Sequence, residues 1–334
     1  MQPVFLVAGI VILVLVVVDL LWTTLWVDGG SGPISGRLTT GIWRGLRRIR
    51  KNRSRALSLA GPLILAATLA TWIGLLWVGW TLLFAGGSTA LVSAHTGQPA
   101  DWTGRFYYVA YTMFTNGNGD YTPTTGTWEI ASAFTTATGM AFVTLAVSYL
   151  LSVLGAVSQK RSFASDVTGL GERPEAFVAT SWSDEEFRGL ELPLESMADD
   201  LSVLADQHKS YPILHYYHSE GSDRASAVAV PILDEALTCY RHGIPDDAAP
   251  NPTLVADARS SVDSYLETLD TAFIEPAEDV PPEPDLEQLR ERGVPTVEDE
   301  AFADATDDLD DRRRKLLGIV QADGWQWPRI NRAE

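Results

Sequence analysis

Between Phe106 and Pro123 the chain reads FYYVAYTMFTNGNGDYTP, and its densest chemistry is Thr115-Asn116-Gly117-Asn118-Gly119-Asp120. Standing alone, Asn-Gly marks a surface turn. The glycines, however, alternate, and glycine accepts backbone angles that other residues avoid. An extended segment built that way can aim successive carbonyl oxygens in one direction. Rings of such oxygens can replace the hydration shell of a cation. The chemistry this stretch offers is therefore ion solvation by backbone, with Asp120 either drawing cations to the mouth or capping the return.

Such a loop needs elements to hold it. Upstream, Arg105–Phe114 is apolar and aromatic but only ten residues long, too short to cross a bilayer. Non-helical backbone at membrane depth survives only where protein buries it or a watery path solvates it. A short dipping helix with a glycine-bearing return satisfies that rule. On either side lie long apolar runs, Pro62–Phe84 and 128–157, and a further one, Val4–Val27, precedes them. Each is long enough to span a membrane. Val4–Val27 lacks the basic start and small-residue cleavage site of a signal peptide, which favours an anchor. Asp19 interrupts it and must face protein or snorkel to an interface. Trp22 and Trp26 suit an interfacial aromatic belt.

Charge divides the chain. Residues 1–164 carry 5 acidic and 11 basic side chains, and residues 165–334 carry 38 and 14, so a membrane part and a soluble acidic part are expected. The acidic part argues against nucleic-acid binding, which needs clustered Lys and Arg. Eight basic residues and no acidic one fall between Arg37 and Arg55, with Ile42, Trp43, Leu46 and Ile49 at helical spacing. That pattern predicts a basic amphipathic helix on the membrane surface. Basic residues also follow the last span, whereas 85–127 holds only Arg105. The positive-inside rule then places the N-terminus outside and the acidic half in the cytoplasm, in a multi-pass protein of the cell membrane.

The acidic half reads as helix. Ser183-Asp184-Glu185-Glu186 matches a capping box that would start one helix. Leu194, Met197, Leu201, Leu204 and His208 form an apolar seam, and Leu254, Ala258, Val262, Leu266, Leu269 and Phe273 form another; both suit a helical-bundle core. Residues 274–288 read as a proline-rich acidic linker and 298–311 as a solvated acidic run. His215 and His218 have a metal-ligand spacing but no matched Cys or carboxylate, so no metal is expected. Cys239 is the lone cysteine and supports no internal disulfide. No nucleophile–base pair, P-loop or G-x-G-x-x-G fingerprint points to an enzyme.

The pore-loop region resembles the pore module of the tetrameric potassium channels, the two-transmembrane ion-channel family, over residues 60–158. That family's filter is T-V-G-Y-G-D where this chain has Thr115 to Asp120. Tyr107 and Tyr108 fall where family members carry paired aromatics, Thr112 at a pore-helix threonine, and Pro123 at a proline after the filter. Gly139 falls at the inner-helix gating hinge; close packing between helices is its other use. The resemblance implies a homotetramer in a lipid bilayer, potassium as the permeant ion, and no cofactor. It assigns ion-coordinating carbonyls to Thr115, Asn116, Gly117, Asn118 and Gly119, the outer mouth to Asp120, and filter support to Tyr107, Tyr108, Tyr111 and Thr112.

Two departures stand out. Asn116 replaces the family's valine and Asn118 its tyrosine, and Tyr111 stands where several relatives carry an acid. Buried amides need partners. Either they find them among Tyr107, Tyr108, Tyr111 and Thr112 and the filter stays rigid, or the cuff loosens and selectivity weakens. The expected architecture is an all-α membrane protein: an N-terminal transmembrane helix and basic segment (1–56), a potassium-channel-like pore module (57–162) and an acidic, mainly helical cytoplasmic domain (163–334). Gly169-Leu170-Gly171 follows no apolar strand, so no nucleotide-gating domain is evident, and the ligand or protein partner of the acidic half is unassigned.

Overall fold

The computed structural model describes residues 2–27, 30–47, 57–117, 119–270 and 275–328. They form two compact units, Met1–Arg48 with Pro62–Val153 and Ile49–Gly61 with Leu154–Glu334. The fold is helical, with two small hairpins.

In the first unit, helices α1 (Pro3–Leu25), α3 (Ala60–Ala85) and α5 (Gly126–Leu170) are each long and apolar enough to cross a membrane. Between α1 and α3 lies α2 (Pro33–Arg47), and between α3 and α5 lies the short α4 (Trp102–Met113). The amphipathic segment thus begins earlier than its apolar spacing suggests; its part beyond Arg47, up to Arg55, lies outside the described residues. Helices α1 and α3 pack antiparallel. Gln2 N donates to Gly86 O at 2.7 Å, and a Cβ on Gly9 would lie 2.6 Å from Leu83 N and 2.7 Å from Gly79 O. Helix faces without side chains let two backbones approach closely where lipid supplies no hydrophobic drive. Deeper along the pair, Asp19 is fully buried. Its carboxylate accepts from Trp72 Nε1 on α3 (2.8 Å), from Ile34 N (2.7 Å) and Ser35 N (3.3 Å), and from Ser35 Oγ (2.5 Å). The membrane carboxylate faces protein and caps the exposed amides at the start of α2.

The second unit is a helical domain. Helix α8 (Ser226–Thr238) is its centre, buried over its whole length, and α6 (Pro174–Thr180), α9 (Pro252–Asp270) and α12 (Asp310–Ala322) pack on it. Helix α7 (Glu191–Ser210) packs on α9, and the two apolar seams meet there: Leu194, Met197, Leu201 and Leu204 are buried, as are Ala258, Val262, Leu266 and Leu269. Phe273 lies outside the described residues. Buried Asp234 and Glu235 on α8 are met by guanidiniums from distant helices. Asp234 accepts from Arg259 Nη1 and Arg312 Nη2, each at 2.6 Å, and Glu235 from Arg313 Nε at 2.8 Å. A charge taken from water persists only when paired and hydrogen-bonded in this way.

One expectation is corrected. Ser183–Glu186 starts no helix; Trp182–Ser183 (β3) and Glu186–Phe187 (β4) pair antiparallel as a hairpin. Asp184 and Glu185 form its two-residue turn with φ of 51° and 63°, the left-handed pair that a type I′ turn needs. Arg188 bonds the carboxylates of Asp184 (2.8 Å) and Glu186 (2.5 Å), the latter being the group a capping box would turn back onto the Ser183 backbone amide. The proline-rich stretch is likewise a strap more than a spacer. Ala277 N donates to Arg314 O, Arg313 Nη2 to Pro282 O and Asp285 N to Glu175 Oε1, at 2.9, 2.9 and 2.8 Å. It ends in α10 (Leu286–Glu291), and most of the acidic run that follows coils into α11 (Asp299–Asp307), which buries Phe302 and Thr306.

His208 closes the α7 seam. It is buried, edge-on to Tyr265, with Nδ1 2.8 Å from Leu204 O. Burial, helped by the Lys160 charge, pushes its pKa down to about 3. The folded state therefore refuses a proton that the unfolded chain accepts below its ordinary value near 6.5. Stability from this group is full above that value and falls as pH drops toward 3. Between pH 7 and pH 5 the wild type is expected to lose about 2 kcal/mol more than a His208→Phe variant, read from denaturant unfolding at both pH values.

Candidate functional site

Helix α4 is built to be held. Asp101 caps it, accepting from Gly104 N at 2.7 Å, and Gly104 lies so close to the Tyr121 ring that a Cβ would sit 2.6 Å from it. Apolar and aromatic contacts fix its sides. Trp77 of α3 stacks on Phe106 at 4.3 Å and donates its indole N–H to Phe106 O at 2.9 Å; Phe84 meets Tyr108 edge-on at 5.5 Å. On the α5 side, Tyr108 shares a hydroxyl bond with Ser132, and Thr136 Oγ1 donates to Thr112 O at 3.3 Å. Gly139 completes that face. A Cβ there would fall onto the Met113 carbonyl, 2.7 Å from its carbon and 2.9 Å from its Cα. Helix α5 runs unbroken through Gly139.

Ser132, Thr136 and Gly139 recur at i, i+4 and i+7, a hydroxyl-and-glycine stripe that receives the C-terminal end of α4. Sequence reading singled out Gly139 and passed over the other two. The signal was their small size at one helical spacing inside an apolar span.

After α4 the chain turns back. Asn116 N donates to Tyr111 O at 2.8 Å and Thr115 N to Thr112 O at 3.2 Å. Thr115, Gly117 and Gly119 have φ of +59°, +60° and +71°. Alternating left-handed residues turn successive carbonyls to the same side, and a threonine there is strained, a conformation retained where surrounding structure enforces it. Thr115, Asn116, Gly117 and Gly119 are all exposed in the single chain. Asn118 lies outside the described residues.

The far end of the loop is stitched to the segment before α4. Leu91–Ser93 (β1) pairs with Tyr121–Pro123 (β2), and Ala94 N donates to Asp120 O at 2.8 Å. Asp120 also accepts from Tyr107 Oη at 3.3 Å and faces His95 Nε2 at 3.5 Å. Tyr107 thus ties the outer end, Tyr108 ties α4 to α5, and buried Tyr111 sits edge-on to both rings. Thr112 contributes its carbonyl. Among the described residues the Asn116 side-chain amide makes no hydrogen bond, so of the two alternatives its pairing with Tyr107, Tyr108, Tyr111 or Thr112 is not seen within one chain. The role of His95 carried no sequence signal, since it lies 25 positions from Asp120.

The histidines of the second unit are dispersed into separate contacts. His218 Nδ1 lies 3.2 Å from Asp323 Oδ1 under the Trp325 ring, and His215 lies edge-on to Tyr216. Among the described residues no cluster of three or more His, Cys, Asp or Glu is placed to hold a metal ion. Cys239 is buried, and burial pushes its thiol well up.

Two membrane-length helices that bracket a short helix and a glycine-bearing return define a pore-loop channel module. A family model described as ion channel matches residues 66–156. Over 324 residues the chain is 42% identical to the uncharacterized membrane protein YdjJ of Bacillus subtilis (strain 168), covering 97% of this chain and 95% of that protein. No solved structure matches the chain. Residues 66–156 thus form a pore module of the two-transmembrane, pore-loop ion channel family, of potassium-channel-like type, and the chain is a membrane protein.

Proposed function

We propose that this chain assembles as a homotetramer in the cell membrane and conducts monovalent cations, potassium among them, through an axial filter formed by Thr115 to Gly119. The observation that carries the reading is the alternation of left-handed backbone at Thr115, Gly117 and Gly119, on a loop whose residues its own chain leaves uncovered. A second observation supports assembly. Met140, Val143, Val147, Leu151 and Leu154 are exposed along α5 at intervals of three and four, an apolar stripe available to neighbouring copies. Asp120 lies at the outer mouth, Gly139 at the point where the inner helix bends or rotates to gate, and the N-terminus outside with the helical domain in the cytoplasm.

The Asn116 amide, which has no hydrogen-bond partner among the described residues, favours a weakly selective pore over a strongly potassium-selective one. Side chains behind the filter set its diameter; asparagine at 118 is far shorter than the family's tyrosine, and asparagine at 116 puts a polar amide where the family has an apolar valine. Reversal potentials across reconstituted bilayers test this. Asn116→Val combined with Asn118→Tyr is expected to raise the potassium-to-sodium permeability ratio about tenfold, equivalent to ~1.4 kcal/mol in relative barriers. An unchanged ratio contradicts the account of the cuff. Folded tetramers that pass neither cation would mean a membrane-anchored sensor or scaffold with a degenerate filter.

A further inference from the structure

The segment Tyr211–Glu220 does more than connect α7 to α8. It folds as a single turn of 3-10 helix, Pro212–Tyr216, followed by irregular backbone, so its carbonyls lack α-helical partners. Two of them find one on α5. Lys160 is buried, and its Nζ donates to Leu214 O at 3.1 Å and Tyr217 O at 3.2 Å. Among the described residues no carboxylate is within ion-pair distance of it. The same segment grips the start of α3. A Cβ on Gly61 would lie 2.5 Å from the Tyr217 ring, and Ser58 Oγ donates to Glu220 Oε1 at 3.2 Å. Its far end is anchored by His218, which meets Asp323 and stacks on Trp325 at 5.1 Å. Beside that anchor Gly324 touches buried Leu57, a Cβ there lying 3.5 Å from Leu57 Cδ1. Residues 57–61 and the end of α5 group with the helical domain in one compact unit.

We propose that Tyr211–Glu220 is a clasp that fastens the start of the outer helix α3 and the end of the inner helix α5 to each other, with Lys160 as the positioning residue for gating. Displacement of the helical domain then reaches both pore helices together. This deepens the channel reading and rests on it for its functional half. The reason lies in the bond types. Lys160 reaches two buried carbonyls of this segment, one of which, Leu214 O, also accepts from Tyr217 N, and Gly61 allows the Tyr217 ring to lie directly on the α3 backbone. A side chain at Gly61, or loss of the ammonium, removes one jaw of the clasp.

The test uses the full-length protein in two arms. Amide hydrogen exchange in detergent compares wild type with Lys160→Met, Gly61→Ala and Tyr217→Phe. Lys160→Met is expected to speed exchange about tenfold at residues 57–61 as well as 212–217, although Lys160 makes no hydrogen bond to 57–61. Gly61→Ala is expected to speed exchange at the 156–164 turn. Tyr217→Phe removes a hydroxyl that has no hydrogen-bond partner and leaves both segments unchanged. Faster exchange confined to the mutated side, or spread evenly over the chain, overturns the clasp. In single-channel recordings Lys160→Met is expected to change open probability about tenfold at unchanged conductance, within the usual range of coupling between sites. An unchanged open probability in conducting protein also overturns it. Silent wild-type protein would instead count against the channel reading, and the exchange arm would still decide the clasp.

Discussion

Gly139→Ala is expected to reduce potassium flux at least about tenfold while the protein still folds and inserts, because the added methyl cannot be housed without moving the filter's support. Its Cβ falls on the Met113 carbonyl, and backbone cannot yield as a flexible side chain does. Met113 is the last residue of α4 and lies two residues before Thr115, where the proposed filter begins. Relief therefore comes from shifting α4 or from bending α5, and overpacking of this kind costs about 1–3 kcal/mol in each chain. A glycine needed only as a hinge predicts something else, a changed open probability with unit conductance intact. Single-channel recording separates the two. Gly139→Ser, no smaller than alanine at Cβ, is expected to behave as Gly139→Ala does.

Asp19→Ala is expected to destabilise the membrane unit by about 3 to 5 kcal/mol, because it orphans donors that have no water to turn to. Two amides at the start of α2, the Ser35 hydroxyl and the Trp72 indole N–H all converge on this one carboxylate. Trp72 is itself fully buried, so its N–H cannot be resolvated. Asn at the same position offers one acceptor oxygen and turns an NH₂ group toward the other donors, and it is expected to recover less than half of the loss. Thermal unfolding in detergent reads the effect. A shift equal to that of a lipid-facing control such as Val14→Ala would show that Asp19 is merely tolerated.

The spans, the pore loop and the two apolar seams were legible because each is written in local order. Twenty or so apolar residues, a three-to-four spacing, or alternate glycines declare themselves without knowledge of partners. What escaped was written in pairs far apart. Asp234 and Glu235 look out of place inside an apolar helix until Arg312 and Arg313, 78 positions on, arrive beside them. Asp19 showed as a membrane charge in need of a partner, but Trp72 lies 53 positions away. The hairpin at 182–187 failed for another reason. Ser-x-x-Glu serves a helix start or a tight turn, and the turn prevailed because Asp184 and Glu185 accept left-handed backbone and Arg188 gathers the acids at both ends. Asn116 sat between these cases: the departure was visible, and its lack of a side-chain partner among the described residues was not.

On the proposed function, the backbone of this loop passes cations. Potassium flux into vesicles carrying the purified full-length protein, compared with the same preparation of Gly117→Ala, tests it most directly. Gly117 has a φ of +60°, and a left-handed alanine costs roughly 1–2 kcal/mol in every copy. The account predicts clear flux from the wild type, above protein-free vesicles, and little or none from the variant. No flux from folded wild-type tetramers, or equal flux from both proteins, would contradict it.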